Sequence, residues 1–188
     1  NLADEIAYNA HDLDDGLRSG LLRPGQLGEI RLLAELAGEL GFELGTLSEF
    51  QRRTFIRELL GLIITDCVKA THEALEKHGV ASLEAVRAHP SLLACYSDHL
   101  KPRLVELRRF LFANLYRHYY VVRQVSKSKL VLERLFETYT RQPDMLPPGV
   151  QRAIESQGLY RAVCDYLAGM TDRYALDEYA KLFDPYGR

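Results

Sequence analysis

The 188-residue sequence predicts an all-α fold, and three observations carry that prediction. Apolar residues recur every three or four positions along most of the chain, the spacing that gathers them on one face of a helix. Capping residues and glycine or proline stops punctuate these stretches at helix-length intervals. No run alternates apolar and polar residues as a half-buried strand requires, and no low-complexity tract or internal repeat interrupts the pattern.

Taken in order, the first helix is expected to start at the beginning of the chain and stop near Gly16 to Gly20. Pro24 and Gly25 mark a loop, and Leu27 to Leu40 reads as a short amphipathic helix stopped by Gly41. Ser48 with Gln51 three residues on is a capping box, in which each side chain satisfies a free backbone donor of the other residue. It opens a long helix to about Lys77, closed by Gly79, and Ser82 then caps a short helix that Pro90 ends. A further long helix is expected over Lys101 to Tyr119, and another from about Ser126 to Arg141 ahead of Pro143, Pro147 and Pro148. Three helices close the chain, near Gln151 to Gly158, Leu159 to Ala168 and Ala175 to Phe183.

Composition agrees with a soluble globular segment, at 47% hydrophobic, 27% charged and a formal net charge of -2. That length suffices for one domain with a substantial core. No apolar run approaches the roughly 20 residues that cross a bilayer. Cys67, Cys95 and Cys164 are odd in number and widely spaced, with no CxxC pair, so they read as reduced thiols of a cytoplasmic protein.

The first twenty residues carry most of the chemistry. At about 100° per residue, Asp4, Tyr8, His11, Asp12 and Asp15 fall within a sector of roughly 100°, while Leu2, Ile6, Ala10, Leu13 and Leu17 lie opposite. The helix thus anchors itself by an apolar face and presents acids, an imidazole and a phenol together. A solvated polar face is the ordinary reading of such a stripe. Against it stand three mutually repelling carboxylates with no Lys or Arg beside them before Arg18, an arrangement that a cation would compensate.

The string Ala3-Asp4-Glu5-Ile6-Ala7-Tyr8, followed by His11-Asp12-Leu13-Asp14-Asp15, resembles the last metal-binding helix of the HD-domain deoxynucleoside triphosphate triphosphohydrolases, the dGTPase-like family. Arg52-Arg53-Thr54-Phe55-Ile56-Arg57 leading into Leu62-Ile63-Ile64-Thr65-Asp66 is similar to the family's long middle helix. Asn114-Leu115-Tyr116-Arg117-His118 resembles its later N-x-Y-R-H segment, and the run from Asp165-Tyr166-Leu167-Ala168-Gly169-Met170 through Thr171-Asp172-Arg173-Tyr174-Ala175 is close to its tail signature. The resemblance implies a multi-helix, HD-domain-like assembly of which this chain is the C-terminal portion. In that scheme 1–188 is a single all-helical segment, with 1–20 the last metal-binding helix and 21–188 the C-terminal helical region.

The resemblance also implies roles. Asp4 would be the final metal ligand, for Mg²⁺ or Mn²⁺ with Fe, Zn or Ni as other candidates, and the family's remaining ligands, a His and a His-Asp doublet, are expected before residue 1. Tyr8 would pack against the sugar and Asp12 would accept a hydrogen bond from its 3′-hydroxyl. His11 is a candidate to bond a carboxylate or substrate oxygen. Arg53 and Arg57, four apart, are candidates for phosphate contact or for an ion pair, and Arg173 and Tyr174 are candidates from the tail. The implied reaction is hydrolysis of dGTP or another dNTP at the α-phosphorus, giving deoxynucleoside and tripolyphosphate, with the segment alone inactive. A cytoplasmic homo-oligomer, tetramer or hexamer, is expected, with deoxynucleoside triphosphates as substrate and as effector. Two alternatives stay open: another HD-type phosphohydrolase or phosphodiesterase, and a non-catalytic helical interaction module.

Charge is uneven along the chain. Up to Glu49 there are ten acids against Arg18, Arg23 and Arg31, whereas from Asp98 to Arg134 nine Lys or Arg face Asp98, Glu106 and Glu133. The acidic front suits a cation and the basic middle suits phosphates or a neighbouring subunit; nucleic acid is a partner that no recognised module supports. His72, His78, His89 and His99 read as solvated or without a motif, and His118 as structural or phosphate-side.

Overall fold

The computed structural model describes residues 2–185, so the expected first residue of the first helix, Asn1, lies outside the described residues. Nine α-helices and no strand occur among the described residues, as the helical spacing predicts. They are α1 (Leu2–Arg18), α2 (Arg31–Leu40), α3 (Glu49–Lys77), α4 (Leu83–Ala88), α5 (Leu100–Leu111), α6 (Tyr119–Arg141), α7 (Pro148–Gln157), α8 (Leu159–Ala168) and α9 (Asp172–Phe183). No described helix is long and apolar enough to cross a membrane. The chain, expected as one segment, divides into two compact units, the first ending at His118 and the second beginning at Tyr119.

Five boundaries differ from the sequence expectation. The helix expected from Leu27 starts only at Arg31, because Ile30 is extended and Pro24–Glu29 forms a separate 3₁₀ turn that tucks Leu27 into the core. The helix expected to reach Tyr119 stops at Leu111 and passes into a π-helical turn, Phe112–Tyr116, and α6 begins at Tyr119 rather than Ser126. Pro148 opens α7, where its missing N–H costs nothing. Thr171 opens α9, its hydroxyl accepting from the Tyr174 N–H at 3.3 Å.

In the first unit α1, α2, α3 and α5 share one core, in which Leu13, Leu33, Phe55, Leu59, Ile63, Leu104 and Leu107 are fully buried. The Ser48–Gln51 capping box is formed as expected, and α2 ends on Gly41 at φ 65, a left-handed conformation that glycine alone adopts freely. An ion pair between Asp14 and Arg52, both side chains mostly buried, ties α1 to α3. Ser97 ties the entry of α5 to α3: its backbone N–H and hydroxyl donate to the two Asp66 oxygens at 2.9 and 2.6 Å, and its hydroxyl accepts from the Leu100 N–H at 3.1 Å. Gly16 lies where α1 meets the chain's return, and a Cβ there would stand 2.5 Å from Leu22 Cδ1 and 2.8 Å from its Cγ.

In the second unit α6, α8 and α9 close over Val131, Leu135, Tyr139, Leu146, Val163 and Ala175. A polar network runs through this core. The Tyr139 hydroxyl donates to Glu178 at 2.8 Å, Lys181 donates to the other Glu178 oxygen at 2.7 Å, and the Tyr166 and Tyr174 hydroxyls meet at 3.1 Å. The Tyr139 and Tyr166 rings pack edge-to-face, 5.7 Å between centroids. Burial first, and then the hydrogen bond to Glu178, pushes the Tyr139 phenol above its ordinary range, while Lys181 holds the Glu178 carboxyl below its own. The tail signature, from Asp165 to Ala175, is thus the α8–α9 junction and part of this network.

Two glycines separate close approach from helix propensity. Gly61 lies inside α3 with open space around it, so Gly61→Ala should stabilise by about 0.5–1 kcal/mol. Gly16→Ala gains the same propensity but pushes into buried Leu22, and the overpacking cost of about 1–3 kcal/mol should make it net destabilising in urea titrations. Alkaline pH tests the tyrosine network. Tyr139 titrates higher folded than unfolded, so its contribution is complete below its unfolded value of 10.0 and lost as pH rises through the folded value. Stability should therefore fall above pH 10, and less steeply in Tyr139→Phe, as followed by far-UV circular dichroism.

Candidate functional site

A groove of about 640 Å³ lies in the first unit where α1 meets α5 and the π turn. Spacing of four on α1 brings Asp4 and Tyr8 to the groove, and Asp12 follows one turn on. The opposite wall carries Arg108 and Arg109 at the end of α5, and Phe112 and Tyr116 from the π turn. Residues four apart share one side of the turn, as they do in an α-helix, and the Phe112 and Tyr116 rings meet edge-on, 6.4 Å between centroids. Tyr8 and Phe112 are 57% and 53% exposed, so the groove offers open aromatic surface of the kind a ligand covers.

Polar contacts bridge the two walls. The Tyr116 hydroxyl donates to the Asp12 carboxylate, and burial together with that bond pushes its phenol well above the ordinary tyrosine range. Glu5 pairs with Arg108 at 3.2 Å. Tyr96 is half-buried near this pair, its hydroxyl enclosed and without a partner among the described residues, and desolvation followed by the Glu5 charge pushes it up to about 12. Asn9, 1% exposed, also borders the groove, and its Nδ2 has no partner among the described residues. The Arg117 guanidinium stands over the Phe112 ring at 5.2 Å. One groove therefore holds hard carboxylate oxygens for a cation, guanidinium groups for phosphate oxygens and aromatic faces for a flat or apolar moiety.

Of the residues singled out from sequence, Asp4 and Tyr8 line the groove, and Asp12 lies one turn beyond its lining, tied to it through Tyr116. His11 is exposed on α1 and does not line the groove. Arg53 and Arg57 do not line it either: each lies exposed on α3 in an ion pair with Glu49 or Glu58 of the same helix, the surface ion-pair alternative. Arg173 and Tyr174 belong to the second unit, where Lys181 stands 5.8 Å from the Tyr174 ring centroid. Among the described residues no three His, Cys, Asp or Glu gather as a metal site, so Asp4 is available as one ligand and not as a set. Sequence reasoning had not assigned Arg108, Arg109 and Phe112. Their signal was present in the basic stretch after Asp98 and in the adjoining Asn114-Leu115-Tyr116-Arg117-His118 segment.

Comparison with known proteins shows what the chain is similar to. Residues 94–181 match the phosphohydrolase-associated domain, which begins ahead of α5 and ends in α9. Over 97% of its length the chain is 45% identical to a deoxyguanosinetriphosphate triphosphohydrolase-like protein of Deinococcus deserti, covering 48% of that protein. The chain belongs to the dGTPase-like family. A second member, from Geobacter sulfurreducens, is 44% identical over the whole chain, and a third, from Deinococcus radiodurans, is 46% identical over 96% of it. The chain spans about half the length of these curated family members.

The Tyr116–Asp12 bond is testable by a double-mutant cycle. Tyr116→Phe and Asp12→Ala should each lower the free energy of unfolding, and the double variant should lower it by about 0.5–1.5 kcal/mol less than their sum. Urea titration of the four proteins reads the coupling.

Proposed function

We propose that the protein carrying this chain hydrolyses deoxynucleoside triphosphates to deoxynucleoside and tripolyphosphate, and that the α1–α5 groove holds the substrate. The observation that carries the reading is the placing of Asp4 and Tyr8 opposite Arg108 and Arg109 in one groove, in a chain related to deoxyguanosinetriphosphate triphosphohydrolase-like proteins. Arg108 and Arg109 would hold phosphate oxygens, since guanidinium forks match their geometry and keep their charge at any working pH. Tyr8 and Phe112 would pack on sugar or base, and Asp12, already oriented by Tyr116, would accept a sugar hydroxyl. Water adds to the α-phosphorus, the bond from that phosphorus to the 5′-oxygen breaks, and the departing oxygen takes a proton. The chain's part is to align these atoms.

Asp4 fits one position of a divalent metal site, a hard, exposed oxygen donor suited to Mg²⁺ or Mn²⁺. Such an ion supplies charge stabilisation at the phosphate and lowers the pKa of a bound water. The other ligands would come from residues outside this chain, and the effector nucleotides and homo-oligomeric assembly expected from the family belong to the same proposal.

In the full-length protein, Asp4→Asn should lower both bound metal and turnover. Losing a mere outer partner of a ligand costs about 10–100-fold, so losing the ligand itself should cost more than about 100-fold. Tyr8→Ala and Phe112→Ala should weaken substrate binding with metal content unchanged. Tripolyphosphate among the products, resolved by ion chromatography, supports the reading; inorganic phosphate or a linear dinucleotide would replace it with another phosphohydrolase or phosphodiesterase activity.

A further inference from the structure

We propose that Glu5 is a positioning residue, holding the Arg108 guanidinium in place for the substrate's phosphates; this rests on the reading of the groove given above. Glu5 directly follows Asp4, and one step of about 100° around α1 brings it to the edge of the acidic stripe beside Asp12, on the side that meets α5. Its carboxylate meets Arg108 Nη1 at 3.2 Å, with the two side chains 31% and 47% exposed. The adjacent Arg109 also lines the groove, yet among the described residues it has no carboxylate partner. The two guanidiniums are therefore in different states, one braced and one free.

A guanidinium has five N–H donors in a fixed fork, and Glu5 engages one end of it, leaving donors for a phosphate oxygen. Bracing spends the arginine's rotamer freedom before the ligand arrives, which favours binding. The carboxylate's charge acts in the opposite direction, by offsetting part of the attraction to an anion. These opposed effects make the sign of the outcome informative: if orientation dominates, removing Glu5 weakens phosphate binding, and if charge dominates, removing it tightens binding.

The test compares wild-type full-length protein with Glu5→Ala, Glu5→Gln, Arg108→Ala and the Glu5→Ala/Arg108→Ala double variant. The readouts are KM and kcat for dGTP, bound metal, and calorimetric binding of inorganic tripolyphosphate. Glu5→Ala should raise KM and the tripolyphosphate Kd by roughly 5–20-fold, with kcat and metal content within about twofold. Glu5→Gln, whose amide oxygen is an acceptor for a guanidinium N–H, should recover most of the loss. The double variant should be no worse than Arg108→Ala, because Glu5 acts only through that residue. Unchanged or tighter binding in Glu5→Ala, additive losses in the double variant, or a wild-type protein that binds no tripolyphosphate would overturn the proposal. Tripolyphosphate binding that weakens in Glu5→Ala without any dGTP turnover would instead overturn the proposed reaction and leave the positioning role standing. Normal turnover with unaltered KM would do the reverse.

Discussion

The groove depends on the way α1 is clamped. One face of this helix buries Ala10, Leu13 and Gly16 in the first unit's core, and a fully buried leucine contributes about 1.5–3 kcal/mol. Burial sets the depth of the helix, but an apolar face alone tolerates rotation and sliding. Three polar ties remove that freedom: Asp14 to Arg52 on the α3 side, and Glu5 to Arg108 and Asp12 to Tyr116 on the α5 side. They lie on both flanks of the buried face, so the exposed stripe between them can point only one way. Gly16 permits the approach by leaving room for Leu22.

Opposite α1, the π turn decides what the second wall presents. It presents Phe112 and Tyr116 together, and the Arg117 N–H closes it by donating to the Phe112 carbonyl five residues back at 3.1 Å. Asn114 contributes to the break, since its side-chain amide donates to the Phe110 carbonyl at 3.0 Å, the local competition that disfavours asparagine inside regular helices. Such turns recur at ligand sites because they re-aim side chains without ending the helix.

The second unit solves a different problem. Its core contains Tyr139 at 2% exposure, and a buried phenol is costly unless its hydroxyl is paired. Glu178 accepts from it and is itself charge-balanced by Lys181, so the network closes on itself. The Tyr166 and Tyr174 pair, together with Thr171 at the head of α9, accounts for much of the tail signature as folding chemistry. The same string is specific enough to resemble a family and still needs no contact with substrate to explain its residues.

By itself the sequence determined the helical class, the Ser48–Gln51 cap, the single-sided presentation of Asp4, Tyr8 and Asp12, and the resemblance that the comparisons bear out. Each of these is local: a period, a cap or a string of adjacent residues contains its own cause. The break at Leu111 was illegible because no glycine or proline marks it, and Arg53 and Arg57 were ambiguous because an exposed arginine serves a phosphate and a nearby carboxylate of its own helix equally, here Glu49 and Glu58. Only the tertiary structure decided that Arg108, Arg109 and Phe112 would face Asp4 and Tyr8, and that Tyr116 would hold Asp12. Those partners stand about a hundred positions apart in sequence, and what joins them is the packing of α1 against α5, a contact to which no local pattern commits a residue.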